Sequence, residues 1–188
     1  MTTFLYAASA SVDGRIAGPG GDMSWLLPHM GADPVMERLM PDLQALLVGR
    51  RTFDGDDPHA GDPEKEGPLE GQWEGAQILL THRPPQPEPE GITVTTDLDA
   101  ALSACRAAAP EGIVSILGAD VARQCFRAQV VDLLLVNTVP VLLGGGTPLL
   151  SDSLGPDSMG PIDLQLLEQE PSAAGHSRLL RVVHRPRG

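Results

Sequence analysis

Val130-Val131-Asp132-Leu133-Leu134-Leu135-Val136-Asn137-Thr138-Val139-Pro140-Val141-Leu142-Leu143-Gly144-Gly145-Gly146 is the stretch whose reading decides the fold. An apolar run of this kind, ended by three glycines, reads as a buried strand, expected over residues 130–143. Strands covered on both faces belong to parallel sheets flanked by helices. The chain on either side agrees. Upstream, residues 113–117 read as a strand and 119–128 as a helix. Residues 97–109 carry an N-cap and Ala/Leu content, which predicts another helix. Strands are expected at 3–10, 45–49, 76–81 and 92–95. Asp33-Pro34 supplies an N-cap and a proline at the first helical position for a helix to about residue 39. A short helix opens at Arg51-Thr52-Phe53. Downstream, residues 162–170 and 177–184 read as a final antiparallel pair. Strands alternating with helices and closed by a hairpin predict an α/β architecture with a mostly parallel sheet. The 188 residues are expected to form a single domain.

Composition narrows the function. Against 25 acidic side chains stand 13 basic ones, a net charge of −12, which repels nucleic acid and anionic membranes at long range. Neither class of partner is expected. Aromatics make up 3% of the chain, so aliphatic side chains must fill the core. Cys105 and Cys125 make neither a disulfide framework nor a metal-ligand set. In Ala-rich helical stretches each reads as a small buried hydrophobe. The N-terminus has no signal-peptide pattern and no run reaches membrane-spanning length. A cytoplasmic location is expected.

No dinucleotide fingerprint, phosphate-loop signature or zinc motif is present, so the chemistry must come from dispersed pieces. Four lie where a predicted strand ends, the position at which open α/β sheets bind ligands. Ser9-Ala10-Ser11-Val12-Asp13-Gly14-Arg15-Ile16-Ala17-Gly18, at the end of the first strand, could touch substrate; its plain reading is a turn. Gly49-Arg50-Arg51-Thr52 runs from strand to helix, with backbone N–H groups and cations that suit an anion. Thr81-His82-Arg83 combines a hydroxyl, an imidazole and a guanidinium, which suits a phosphate monoester or a polar turn. Leu117-Gly118-Ala119-Asp120 again joins strand to helix, with Arg123 one turn on. The last three would line one groove fit for a molecule with several phosphates. The acidic, Gly/Pro-rich residues 55–75 read as a lid or a surface insertion.

Taken in order, these segments resemble the dihydrofolate-reductase-like superfamily, and more closely the group related to the C-terminal reductase domain of bacterial riboflavin biosynthesis. The matching pieces are Ser11-Val12-Asp13-Gly14 with Ile16-Ala17-Gly18, Gly49 to Phe53, Thr81 to Pro84, and Val131-Asp132 with Val139 to Leu149. The resemblance implies a three-layer fold with a mostly parallel central sheet and a C-terminal antiparallel hairpin. It implies NADPH as cofactor and hydride transfer to a C=N or C=C bond of a small heterocyclic substrate, pterin- or pyrimidine-like. The cofactor-binding residues it implies are Gly49, Arg50, Arg51, Thr52, Thr81, His82, Arg83, Leu117, Gly118, Ala119 and Asp120. The Asp13 loop would flank the nicotinamide. Asp13 and Asp33 are the candidate catalytic acids by position, with His29 a third. A homodimer paired through the long strand is also implied. At Leu117-Gly118 the chain departs from a Gly-Gly pair that the family usually has, joined in dihydrofolate reductases by a cis peptide. That departure motivates a second reading, a non-catalytic protein holding a nucleotide, flavin or other small molecule on the same scaffold.

Overall fold

The computed structural model describes residues 1–55, 73–150 and 161–184. Ten strands are described: β1 Thr3–Ser11, β2 Arg15–Ala17, β3 Leu43–Gly49, β4 Ala76–Leu80, β5 Ile92–Thr95, β6 Ile113–Leu117, β7 Leu133–Val139, β8 Thr147–Pro148, β9 Asp163–Pro171 and β10 His176–Val183. The α-helices are α1 Pro34–Leu39, α2 Arg50–Phe53, α3 Leu98–Ala108 and α4 Ala119–Arg127. Two of them start where their caps require. Asp33 accepts from the N–H groups of Val35 and Met36, and Asp97 from Ala100, each satisfying first-turn donors that the helix leaves orphaned.

Eight strands make one sheet in the order β5-β4-β3-β6-β1-β7-β10-β9, and β2 pairs with β8 in a separate two-stranded sheet. From β5 through β7 every pairing is parallel; β10 runs antiparallel to β7 and β9 antiparallel to β10. β6 returns between β3 and β1, so the strand order reverses beside β1. In open α/β sheets such a switch point opens a crevice beyond the strands' carboxyl ends.

Alternation along β1 sorts its side chains between two layers. Phe4 and Tyr6 pack with Ala101, Leu102 and Cys105 of α3 and Val121, Cys125 and Phe126 of α4. Leu5 packs on the opposite face with Val35 of α1, Leu46, Val48, Leu135 and Leu179. Leu46 and Leu47 are fully buried on opposite faces, each stabilising the fold by roughly 1.5–3 kcal/mol. Helices on both faces of a central sheet make the three layers. Both cysteines are buried and free, and burial pushes each thiol up to about 12.

Two sequence expectations are corrected. The decisive strand ends at Val139 rather than at residue 143. Pro140 has no N–H to give to a ladder, and the Val141 N–H turns back to the Val139 carbonyl at 2.8 Å. That strand is also interior, paired to β1 on one side and β10 on the other. It offers no edge to a second subunit; the free edges of the large sheet are β5 and β9. The strands β2 and β8 carry no periodic signal because they span only three and two residues. The expected lid lies mainly in residues 56–72, outside the described residues. No helix among the described residues is long and apolar enough to cross a membrane.

Candidate active site

Sheet order puts the turns that follow β4, β3 and β6 side by side, because these strands are consecutive neighbours; the turns after β3 and β6 lead into helices, that after β4 into a loop. Glycine sets their spacing. Gly118 holds φ +105°, and a Cβ there would lie 2.6 Å from Thr52 Oγ1. At Gly49 a Cβ would come within 2.8 Å of Val121 Cγ2. The start of α2 therefore packs against the start of α4 with the Thr52 side chain on Gly118 and the Val121 side chain on Gly49. No side chain caps α4, so its first N–H groups and the positive end of its dipole face the crevice.

Cations gather at this mouth in an otherwise acidic chain. Arg50 Nη1 donates to the Arg83 carbonyl at 2.7 Å, tying α2 to the loop after β4, while Arg50 Nε pairs with Asp54. Arg51 Nη2 lies 3.6 Å from Asp120 Oδ2 and its side chain is 85% exposed. Thr52, His82 and Arg83 are exposed as well. Thr81 differs from its neighbours. It is buried, its N–H donates to the Thr95 carbonyl, and its Oγ1 accepts from the Arg83 N–H at 3.0 Å. That hydroxyl shapes the turn that presents His82 and Arg83. Arg123 Nε is buried and makes no hydrogen bond among the described residues.

Leu117 sends its side chain to the α1 face, where it packs against the core that includes Leu46 and Val48. Among the described residues Gln86–Pro87 is the cis peptide, so Leu117–Gly118 is trans.

The other half of the rim is built by β1, β7 and β10. Asp13 accepts from Ser11 Oγ at 2.7 Å, from Leu143 N–H at 3.0 Å and from Gly144 N–H at 2.8 Å. These bonds, that of Leu143 first, hold its carboxyl down at about 2. Its oxygens fasten the 143–144 turn to the loop after β1, and it stays ionised at neutral pH. Asp33 lies on the α1 side. While Oδ1 caps α1, Oδ2 accepts from Ser177 Oγ at 2.6 Å. His29 is half-buried at the end of the short turn of helix Ser24–His29. Asn137 and Ser177, both buried, stand in register on β7 and β10, and Ser9 of β1 lies in register on the other side of Asn137.

Thus β3, β4 and β6 collect the expected anion-binding residues at one part of the rim, while Asp13 and Asp33 stand on the other. Sequence reasoning took in Ser9 with the segment after the first strand but missed Asn137 and Ser177. Their signal was a polar side chain inside an apolar strand. Gly118 lets the start of α4 lie directly against the Thr52 side chain, and Arg50, Arg51 and Arg83 stand around this part of the rim. Among the described residues no group of three His, Cys, Asp or Glu could hold a metal ion.

The family model of the RibD C-terminal domain matches residues 3–176. No curated protein matches. Among solved structures, a protein described as a riboflavin biosynthesis protein from Shewanella sp. PV-4 superposes with a TM-score of 0.71 at 19% identity, covering 97% of this chain and 99% of that one. A diaminohydroxyphosphoribosylaminopyrimidine deaminase/5-amino-6-(5-phosphoribosylamino)uracil reductase from Thermotoga maritima gives 0.66 at 16% identity, over 97% of this chain but 57% of that one. Dihydrofolate reductase from Enterococcus faecalis, complexed with NADP(H), gives 0.62 at 17% identity and covers 96% of each chain. The fold is dihydrofolate-reductase-like, and the chain belongs to the RibD C-terminal domain family.

Proposed function

We propose that this protein is an NADPH-dependent reductase that transfers a hydride to a C=N or C=C bond of a small pyrimidine- or pterin-like heterocycle. One observation carries the reading: the adjacent parallel strands β4, β3 and β6 end at one part of the rim, two of them in turns that require glycine, and bring Arg50, Arg51 and Arg83 together there. The relatives' printed activities support the same class of reaction.

In this reading the first N–H groups of α4, with Gly118 and Ala119, receive the pyrophosphate. Gly49, Arg50, Arg51 and Thr52 border it from α2. His82 and Arg83 receive the adenosine 2′-phosphate on the turn that Thr81 fixes, which gives NADPH its advantage over NADH. Asp120 keeps Arg51 close to the mouth through their ion pair. Bound NADPH supplies the hydride. The Asp13 carboxylate holds the loop that flanks the reacting ring. Ionised and triply bonded, it acts as a brace and is a poor acid. Asp33, with the Ser177 hydroxyl on Oδ2, orients the water that protonates the reduced product; a positioned proton donor of this sort contributes roughly 10²–10⁴-fold. The reading includes a homodimer, which a dimer mass in light scattering would support and a monomer mass would rule out.

The test is turnover of NADPH with oxidised pyrimidines and pterins as acceptors, followed by loss of nicotinamide absorbance. Oxidation that depends on the acceptor supports the reading. Tight NADPH binding with no acceptor-dependent oxidation would favour the binding-protein alternative.

A further inference from the structure

Register sorts the side chains of the edge strand β9 between two faces. Glu168 and Glu170 stand opposite Leu179 and Ser177 on the α1 side, where Arg38 of α1 pairs with both. Asp163 and Gln165 share that side, opposite Val183 and Arg181. The other side carries Leu164 and Leu166, opposite Val182 and Leu180 of β10. Val182 belongs to the core beneath α3 and α4, and Leu180 and Val136 of β7 pack at its margin. Those two helices pack chiefly against β3, β4, β5 and β6, and Leu164 and Leu166 are left 43% and 53% exposed. Alternation of this kind gives a strand one face to bury and one to hydrate. In β9 the polar face is the one that meets a helix, and among the described residues nothing covers the apolar one. Its one formal charge, Arg178, is engaged within the sheet: Nε donates to Gln169 Oε1 at 3.3 Å and Nη1 to Thr138 Oγ1 at 3.2 Å.

We infer that this face, centred on Leu164, Leu166 and Leu180, is where a second copy of the chain docks, sheet face on sheet face about a two-fold axis. The inference rests on the homodimer included in the proposed reading and gives it a surface. Charge selects the occupant. At a net charge of −12, two copies repel wherever their acidic surfaces meet, and the uncharged leucine face is where they can approach. A basic partner would be drawn to the acidic surfaces instead. The edge of β9 is itself blunted against strand pairing: the register shifts at Leu166–Leu167, Glu168 and Glu170 follow, and Pro171 ends the strand. Three strands about 4.8 Å apart and about 27 Å long present roughly 400 Å² per copy in projection. Two copies therefore cover about 800 Å² or more, the low end for a specific interface, which makes a dimer that opens on dilution.

The experiment is analytical ultracentrifugation of the full chain over a dilution series. The unaltered protein should sediment at twice the chain mass when concentrated and pass to the chain mass on dilution. Leu166→Glu brings an unpaired carboxylate into each half of the contact and should raise the dissociation constant at least about 100-fold. Leu164→Glu should act in the same direction. Gln165→Glu adds the same charge to the opposite face of the same strand and should leave the mass unchanged. Leu166→Ser, which removes the apolar contact without adding charge, serves should Leu166→Glu not fold. A dimer lost equally in Gln165→Glu overturns the inference. A dimer indifferent to both leucine variants overturns it too, while leaving the homodimer standing on another surface. A monomer at every concentration sinks both. Acceptor-dependent NADPH oxidation, assayed separately on the same preparations, reports on the reductase reading alone.

Discussion

The two halves of the rim are built by different means. The β3–β4–β6 half is made of short segments in which one strand runs into a turn, with glycines for clearance and arginines at the surface. The β1–β7–β10 half is made of side chains that meet only because strands distant in sequence pair in register: Ser9 with Asn137, Asn137 with Ser177, Ser177 with Asp33. The first half is exposed and cationic, suited to a mobile polyanion from solvent. The second is set deeper, with Asn137 and Ser177 buried and Ser177 bonded to Asp33, and is suited to holding a small ring in one orientation. Binding energy in the one half should therefore respond to charge and salt, and in the other to geometry.

Breaking the buried half should cost most. Asp33→Asn keeps the shape of the cap but removes the charge, and kcat should fall roughly 100-fold or more while NADPH affinity holds. Steady-state kinetics beside a cofactor titration separate the two. A change confined to KM would show that Asp33 only binds substrate. Gly118→Ala attacks the other half. It forces a Cβ to within 2.6 Å of Thr52 Oγ1 at a φ of +105°, a strain of about 1–3 kcal/mol. Both the melting temperature and NADPH affinity should drop.

Arg51→Ala should then weaken NADPH about tenfold, the value of one charge-assisted contact, with little effect on stability, because its ion pair with Asp120 is exposed. The loss should shrink at high salt, since screening already removes much of that attraction. The smallest effect concerns Asp13. Its carboxyl lies at about 2 against an ordinary 3.8, so its contribution to order is complete above 3.8 and is lost as pH falls toward about 2. Amide exchange of Leu143 and Gly144 should speed up in that window before that of β3 and β6. Protection that stays unchanged there would mean that the turn holds without Asp13.

The comparison also explains what the sequence made legible. Gly49-Arg50-Arg51-Thr52 and Leu117-Gly118-Ala119 carry their geometry within four residues, so strand, turn and helix could be placed from local pattern. The caps Asp33 and Asp97 announced themselves in the same way. Asn137 did not, because its meaning depends on Ser9 and Ser177, which no local pattern ties to it. Residues 140–143 misled for a physical reason: they are as apolar as a strand, but Pro140 cannot donate to a ladder and Leu142 ends 73% exposed. Leu117 stood out as a departure from a Gly-Gly pair because its residue type was legible and its direction was not; the side chain belongs to the α1-side core. Thr81 likewise looked like a ligand, whereas its hydroxyl is engaged in its own turn.

The most direct test of the account is a paired titration of the full chain with NADPH and with NADH, read by nicotinamide fluorescence. The account predicts saturable NADPH binding, at least about tenfold tighter than NADH, with the advantage lost in an Arg83→Ala, His82→Ala double variant. Equal affinity for the two, or binding of neither, would contradict the assignment of the β3–β4–β6 rim to a phosphorylated dinucleotide.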